Sequence, residues 1–500
     1  MLRYNPLVFG RAGALVIAFA VAGGCGHPSS GEHGTGSNAT AAKLAEVADA
    51  TPVELPALTF GLGSLDGFAY RTRPGHDLFK QARDTSLKGD WAGAATLCEA
   101  ALKADPDHLD ASYLLAVARA KQNQLEGILP PLTKAVSADF GKWGQASLDQ
   151  PALQKFLGTP SGQAWRARVE KDRDAFAASL ARSLVVTSHG DLYAFDAQAS
   201  RWLRLSRTGG AVVGAFMPPG VARIVYVTRE KERTASGAGA GSAAAKPTGK
   251  GKGKTKVKLG MIDLTTGRAR LAVDLAGTGS VRVAYNAKKL KRFVVRVGNA
   301  WSSVVDEIKL RLEPEAKGTH IGYLADLAGT TWLDVTGRRA QLTRIGVPNV
   351  SADWDTQSLA SALRIGSSHR VVTVPSPGLI EGNTLVWSPD KTQLAFAAKL
   401  ADTCKPNEPT AAAFVADGST GAVQELERAT GGIAVEWVAE RKLAVAGDHG
   451  VTVVDLAGGA PLPLPGADGL LVPRKKPTCT PEPEDEEPIE EEPSDSEAVH

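Results

Sequence analysis

Four cysteines, nine histidines and one Gly-Lys-Thr run are the places where this 500-residue chain could do chemistry with its own side chains. No G-x-S-x-G elbow is present, so a serine hydrolase nucleophile is not signalled. No H-E-x-x-H and no paired C-x-x-C occurs, so no metal site is signalled either. His189 and His449 each sit beside a glycine in a polar stretch between two apolar runs, which reads as a turn position. Gly253-Lys254-Thr255 ends like a phosphate-binding loop, but the motif needs a glycine five residues before Gly253, and Thr248 stands there. Cys98 falls in a helical pattern and reads as a small buried hydrophobe. Cys404 lies in a Pro-rich loop and Cys479 near the C-terminus; a disulfide between them is expected to close a long loop. No catalytic residue, metal or cofactor is expected from this inventory.

The remaining cysteine has a different setting. Arg3 and Arg11 flank the start of an apolar run, Ala12 to Val21, that is too short to span a bilayer. The run leads into Ala22-Gly23-Gly24-Cys25, which resembles the lipobox of bacterial lipoproteins, although the commonest lipoboxes carry Leu where Ala22 stands. The resemblance implies removal of residues 1–24 and acylation of Cys25, an anchor strong enough for stable membrane attachment. Gly26, rather than Asp, at the next position implies the outer membrane. Residues 25–74 follow as an expected flexible tether, its first half rich in Gly, Ser, Thr and Ala. Export would also permit oxidation of the other cysteines.

The elements that carry these residues divide the chain. From 75 to 182 the apolar period is helical. A 34-residue shift relates Leu78, Ala82, Ala94, Cys98, Ala101 and Pro106 to Ser112, Ala116, Ile128, Leu132, Ala135 and Phe140. This pattern, with the turn Gly89-Asp90-Trp91, resembles the tetratricopeptide repeat. The second copy departs from it at Ser112 and Phe140, and Pro130-Pro131 should delay the start of its second helix. Two copies cannot bury their faces alone, so helices within 148–157 and 162–182 are expected to cap them. The resemblance implies a peptide-binding groove; a spacer that packs on the next domain is the equal alternative.

From 183 to 466 short apolar runs alternate with Gly, Asp and Pro turns. An aromatic, a turn and a strand recur at Phe216, Tyr285, Trp387 and Trp437. A strand–Asp–turn–Gly–strand unit recurs at Asp263, Asp334 and Asp455. Leu184–Asp196 also parallels Leu443–Asp455. Steps of about 40–50 residues predict a β-propeller of six or seven blades. Trp387-Ser388-Pro389-Asp390-Lys391 resembles repeats of TolB-type propellers, with Lys391 where Gly is usual. The Asp-Leu-Thr-Thr-Gly turn at 263–267 resembles quinoprotein propellers, but Leu271 replaces their docking Trp, so no quinone cofactor is expected. The fold class expected is therefore α + β multidomain: a short tetratricopeptide solenoid, then an all-β propeller.

With 43% hydrophobic and 22% charged residues the chain is neither a multi-span membrane protein nor wholly disordered. Its net charge of +3 conceals two opposed segments. Residues 229–258 hold nine basic residues against two acidic, and the low-complexity insert 232–255 lies inside them. Residues 482–497 hold ten acidic residues and no basic one, within an expected disordered tail over 467–500. The function expected is a non-enzymatic, lipid-anchored envelope scaffold that binds a protein or peptide partner through the helical module or a propeller face. No specific nucleic acid is expected. The rivals are an enzyme with a site in the propeller channel and a sensor component of an envelope machine.

Overall fold

A computed structural model describes residues 55–68, 73–218, 220–231, 255–275, 280–286, 291–306, 310–314, 330–336, 339–345, 347, 349–355, 360–366, 370–373, 379–381, 384–399, 411–426 and 433–472. The signal, Cys25, Cys404, Cys479, most of the basic insert and the acidic run lie outside these residues. What it shows is the expected class: a helical module followed by an all-β propeller.

Seven helices build the module: α1 His76–Leu87, α2 Trp91–Ala104, α3 Leu109–Lys121, α4 Leu129–Ala138, α5 Phe140–Asp149, α6 Gln154–Leu157 and α7 Pro160–Ala181. Their boundaries follow capping chemistry. Asp90 accepts the Gly93 N–H at 2.8 Å to open α2, and Thr159 accepts the Gly162 N–H at 3.1 Å to open α7, with Pro160 in the first helical position. Pro130 and Pro131 occupy the first turn of α4, where a missing N–H costs nothing, so the helix starts late but unkinked. The repeat positions Ala82, Ala94, Cys98, Ala101, Ala116, Ile128, Leu132 and Ala135 are all fully buried, because small residues let these antiparallel helices touch.

His108 opens α3. Its Nδ1 accepts the Ala111 N–H at 3.2 Å, so the ring must be neutral at that nitrogen. Burial pushes its pKa below the ordinary 6.5, against the opposing pull of Asp110 and Asp105. The unfolded chain therefore binds this proton at higher pH than the folded chain. The stability it contributes is present above about pH 6.5 and lost as pH falls below that value. The denaturation midpoint should drop between about pH 7 and pH 5, and His108→Asn, which caps without titrating, should flatten that drop.

Six antiparallel sheets follow among the described residues. The first is β1 Leu184–Ser188, β2 Asp191–Asp196 and β3 Arg201–Arg204; the second is β4 Val212–Phe216, β5 Arg223–Lys231, β6 Thr255–Asp263 and β7 Arg268–Asp274. The third holds β8 Val281–Asn286, β9 Arg292–Val297, β10 Ala300–Asp306 and β11 Arg311–Pro314, extended from β8 by β12 Thr330–Thr336 and β13 Arg339–Ile345. The fourth is β14 Val350–Asp355, β15 Ala360–Ile365 and β16 Arg370–Thr373. The fifth is β17 Leu379–Ile380, β18 Val386–Trp387, β19 Gln393–Lys399, β20 Ala411–Asp417 and β21 Val423–Glu425; the sixth is β22 Ala434–Ala439, β23 Lys442–Gly447, β24 Gly450–Asp455 and β25 Leu462–Leu464.

Apolar cores join the first sheet to the second, the second to the third, the fourth to the fifth and the fifth to the sixth. Val186 and Tyr193 of the first sheet then share a core with Ala444 and Val451 of the sixth, the return contact of a ring. Each aromatic–turn–strand unit read from the sequence is the hairpin between two neighbouring strands: β4–β5, β8–β9, β18–β19 and β22–β23. The ends of β5 and β6 pair as Lys231↔Thr255, so the basic insert interrupts a hairpin.

Two domain boundaries differ from the sequence expectation. The tether stops short of 74, because residues 55–68 pack on the folded body. Leu58 is buried with its N–H on Asp172 Oδ2 at 3.1 Å, and Leu62 exchanges two backbone bonds with Trp202 at the outer edge of β3. The expected tail begins later than 467. Gly469 bridges Thr187 on β1, and Leu470 and Leu471 are buried. The first sheet is thus completed from both directions, by segments that lie before the helices and after the last strand.

Candidate functional site

The repeat module and the surfaces that hold it are the candidate site. In an open pair of repeats, the first helix of each copy would line a groove. Here α3 is buried on nearly every side. Its Ala82-facing side, with Leu115 and Ala118, packs on α1 and α2, while Tyr113, Ala116, Val117 and Ala120 share a core with Leu153, Phe156, Trp165 and Val169 of the capping segments. Trp165 is 1% exposed and donates its Nε1–H to Ser147 Oγ at 3.2 Å. The chain's own helices therefore cover the inner face of the second repeat. What remains open is α1, which ends in Leu87, 80% exposed.

The module is fixed to the propeller by ion pairs as well as apolar contact. Asp196, fully buried at the end of β2, accepts Arg182 Nε at 2.9 Å, Arg182 Nη2 and Ser179 Oγ from the end of α7. Burial alone would raise the Asp196 pKa. The Arg182 and Ser179 bonds outweigh it and hold the carboxyl below its ordinary range. Asp139 caps α5 through the Lys142 N–H at 3.3 Å and takes a two-pronged bond from Arg207, which follows β3. Lys142 pairs with Asp110; burial still leaves its pKa below the ordinary lysine value. Phe60 sets its ring edge-on to Phe140 and Phe176, at 5.3 and 5.8 Å between centroids, and locks the N-terminal segment into the same junction.

Beyond β8, β12 pairs with it and places Leu333 and Val335 in the core shared by the second and third sheets. The hairpin approaches β4 so closely that a Cβ on Gly214 would fall 2.7 Å from Ala340 Cβ. The hairpin thus meets β4 through Leu333 and Ala340 and β8 through its strand ladder, where Asp334 pairs with Arg282 Nε at 2.8 Å. Among the described residues, no group of three or more His, Cys, Asp or Glu is arranged to hold a metal ion, and no helix is long and apolar enough to cross a membrane.

The remaining sequence candidates fall as follows. Cys98 is fully buried in the repeat, and burial pushes its thiol up to about 12, so no thiolate nucleophile forms near neutrality. His189 stands in the β1–β2 turn with a left-handed φ of 49°, and His449 in the matching β23–β24 turn; they are not brought together with each other by any hydrogen bond described. Thr255 is the first residue of β6, with Gly253 and Lys254 outside the described residues.

One cavity was not anticipated. It has a volume of about 530 Å³ and lies between the fourth and fifth sheets, with Ile365 and Trp387 as its apolar walls and Asn349, Lys391, Thr392 and Ser419 as its polar ones. Its frame is tied by backbone bonds: Gly366 N–H to Asn349 O and Gly418 N–H to Thr392 O, both 2.8 Å. Gly418 leaves room for the Trp387 indole, since a Cβ there would lie 3.1 Å from its Cζ3. Lys391 and Asn349 both have φ of 62°, the left-handed region. Lys391 thus adopts a backbone that glycine takes at lower cost. The sequence departure at that position was the signal that could have drawn attention to it. That backbone costs a non-glycine residue roughly 1–2 kcal/mol, part of which glycine returns through its looser unfolded chain. Lys391→Gly is expected to stabilise the protein by about 0.5–1 kcal/mol, read as a raised midpoint in chemical denaturation.

Comparison with known proteins identifies the repeat module. A tetratricopeptide-repeat family profile matches residues 87–127, the end of α1 through the loop after α3. No curated protein matches the chain in sequence. Among solved structures, the chain is similar to a protein assigned as a 6-phosphogluconolactonase from Bacteroides fragilis, at 11% identity and a TM-score of 0.31, covering 58% of this chain and 96% of that one. It is also similar to an oligogalacturonate lyase from Vibrio parahaemolyticus, at 10% identity and a TM-score of 0.24, covering 56% and 73%. Likenesses this distant carry no argument about activity.

Proposed function

We propose that this protein is a lipid-anchored scaffold of the bacterial envelope, attached through Cys25 and binding a protein partner without catalysing a reaction. The observation that carries the reading is the tetratricopeptide module itself, a fold used generally for protein–protein contact, held immobile on the propeller by the Asp196 and Asp139 ion pairs. A rigid junction presents two surfaces in one fixed geometry, which suits an adaptor. The covered inner face of α3 directs the partner to the outer face of α1, around Lys80, Arg83, Asp84 and Leu87. The lipobox-like Ala22-Gly23-Gly24-Cys25 supports the anchor, with the outer membrane favoured by Gly26.

The test is affinity capture of the full-length lipidated protein from membranes in mild detergent, beside Leu87→Glu and Cys25→Ala. A partner recovered with the wild type and lost with Leu87→Glu supports the scaffold. Equal recovery with Leu87→Glu, or no specific partner at all, overturns it. Cys25→Ala should abolish incorporation of labelled fatty acid, and retained label would refute the anchor.

A further inference from the structure

We propose that the cavity between the fourth and fifth sheets binds a neutral saccharide. The inference is independent of the partner-binding role of the helical module. The argument starts from what each wall can still offer a ligand. Thr392 Oγ1 donates its only hydrogen to Asp390 Oδ2 at 2.8 Å, and Ser419 Oγ donates its own to Asp417 Oδ1 at 2.6 Å. Both carboxylates also accept backbone N–H bonds from their own turns, Asp390 from Thr392 and Asp417 from Ser419 and Thr420. The hydroxyl and backbone bonds hold both carboxyls below their ordinary pKa range, so they remain acceptors and keep those protons engaged. The hydroxyls of these two lining residues are therefore left with acceptor capacity, and a ligand that reaches them must bring donors.

Lys391 supplies the complementary donors, three N–H bonds on one ammonium, and the Asn349 amide supplies both kinds. The half-buried Trp387 indole lines the same cavity and adds an apolar ring with negative π density, which favours polarised C–H groups. A ligand with an apolar C–H face and a rim of hydroxyls that both donate and accept is a sugar ring. A volume of about 530 Å³ lies in the range of small-molecule sites. Two ionised carboxylates behind the lining hydroxyls outnumber the single Lys391 charge, which disfavours an anionic sugar and selects a neutral one. The left-handed backbone at Lys391 gives a second reason to read the position as functional. A cheaper residue, glycine, fits that turn, and the chain keeps a long cationic side chain there instead.

The experiment is saturation-transfer difference NMR on the full chain with cellobiose, N,N′-diacetylchitobiose and adenosine as probes. The expected result is transfer to ring C–H protons of at least one disaccharide, competed by excess of the same sugar. Trp387→Ala should remove the transfer. Lys391→Gly should weaken affinity about three- to tenfold, the size of one lost hydrogen bond, while melting no lower than the wild type. That second variant keeps the test decisive even where Trp387→Ala fails to fold. Absence of transfer to both disaccharides overturns the proposal, as does transfer to adenosine alone. Unchanged affinity in Lys391→Gly overturns it too.

Discussion

Asp139→Ala is expected to lower the stability of the whole protein by about 3–5 kcal/mol, most of a small domain's margin. Asp139 is 5% exposed and does two jobs at once. It caps α5 through the Lys142 N–H, and it meets the Arg207 guanidinium with both oxygens. Alanine removes the cap, at about 1 kcal/mol. The larger cost is that the Arg207 side chain, only 21% exposed, keeps its charge without the carboxylate that offsets its desolvation. The two effects separate experimentally. Asp139→Asn keeps the cap and loses the charge, so it should fall between wild type and alanine in urea denaturation. Arg207→Leu combined with Asp139→Ala should cost less than the two single changes added, because the buried charge leaves with its partner. Strict additivity would show that the pair carries no coupling. The outcome bears on function, since a scaffold that presents its helical module in one orientation needs this junction intact.

The residues that make the repeat were readable because helix contact imposes a local rule. Small side chains must recur at the 34-residue step, and Ala82, Ala94, Cys98 and Ala101 are buried as that rule requires. The hairpins were readable for the same reason, as each aromatic–turn–strand unit closes within a dozen residues. What covers the inner face of α3 was not readable. The partners there, Leu153, Phe156 and Trp165, belong to a cap whose helical period says that it is amphipathic and not where it lies. Both misplaced boundaries also had faint signals. Ala57-Leu58-Thr59-Phe60-Gly61-Leu62 alternates with a strand's period of two, unlike a tether. The match of Leu184–Asp196 to Leu443–Asp455 equates β1 and β2 with β23 and β24, the second and third strands of the last sheet. That equation leaves the first sheet without an innermost strand, because a helix ends directly before β1. The missing strand had to come from elsewhere. The cavity was hidden for a different reason: its walls come from turns far apart in the chain, and only Lys391 marked it.

The same reasoning predicts a second large effect. Truncation after Pro465 should abolish cooperative folding of the propeller, whereas truncation after Val472 should leave a cooperative transition in place. The two proteins differ by seven residues, Gly466 to Val472, which carry the ring closure. Thr187 N–H bonds Gly469 O at 2.9 Å, Asp468 N–H bonds Thr187 O at 2.9 Å, and Ala215 N–H on β4 bonds Leu471 O at 2.8 Å. The Asp468 carboxylate accepts Thr187 Oγ1 at 2.7 Å and the His189 N–H at 2.8 Å. Leu470 and Leu471 are each 8% exposed, and losing a buried leucine typically costs about 2–5 kcal/mol. Thr187, fully buried, would be stranded with unpaired polar groups at about 1–3 kcal/mol more. Together these losses reach roughly the 5–15 kcal/mol that a folded domain has to spare. Asp468→Ala removes only the side-chain bonds and should be milder, a loss of about 1–3 kcal/mol. Calorimetry distinguishes the cases. A single sharp transition in the Pro465 truncation would show that the ring holds without its closing segment, and that the edge of β1 tolerates exposure.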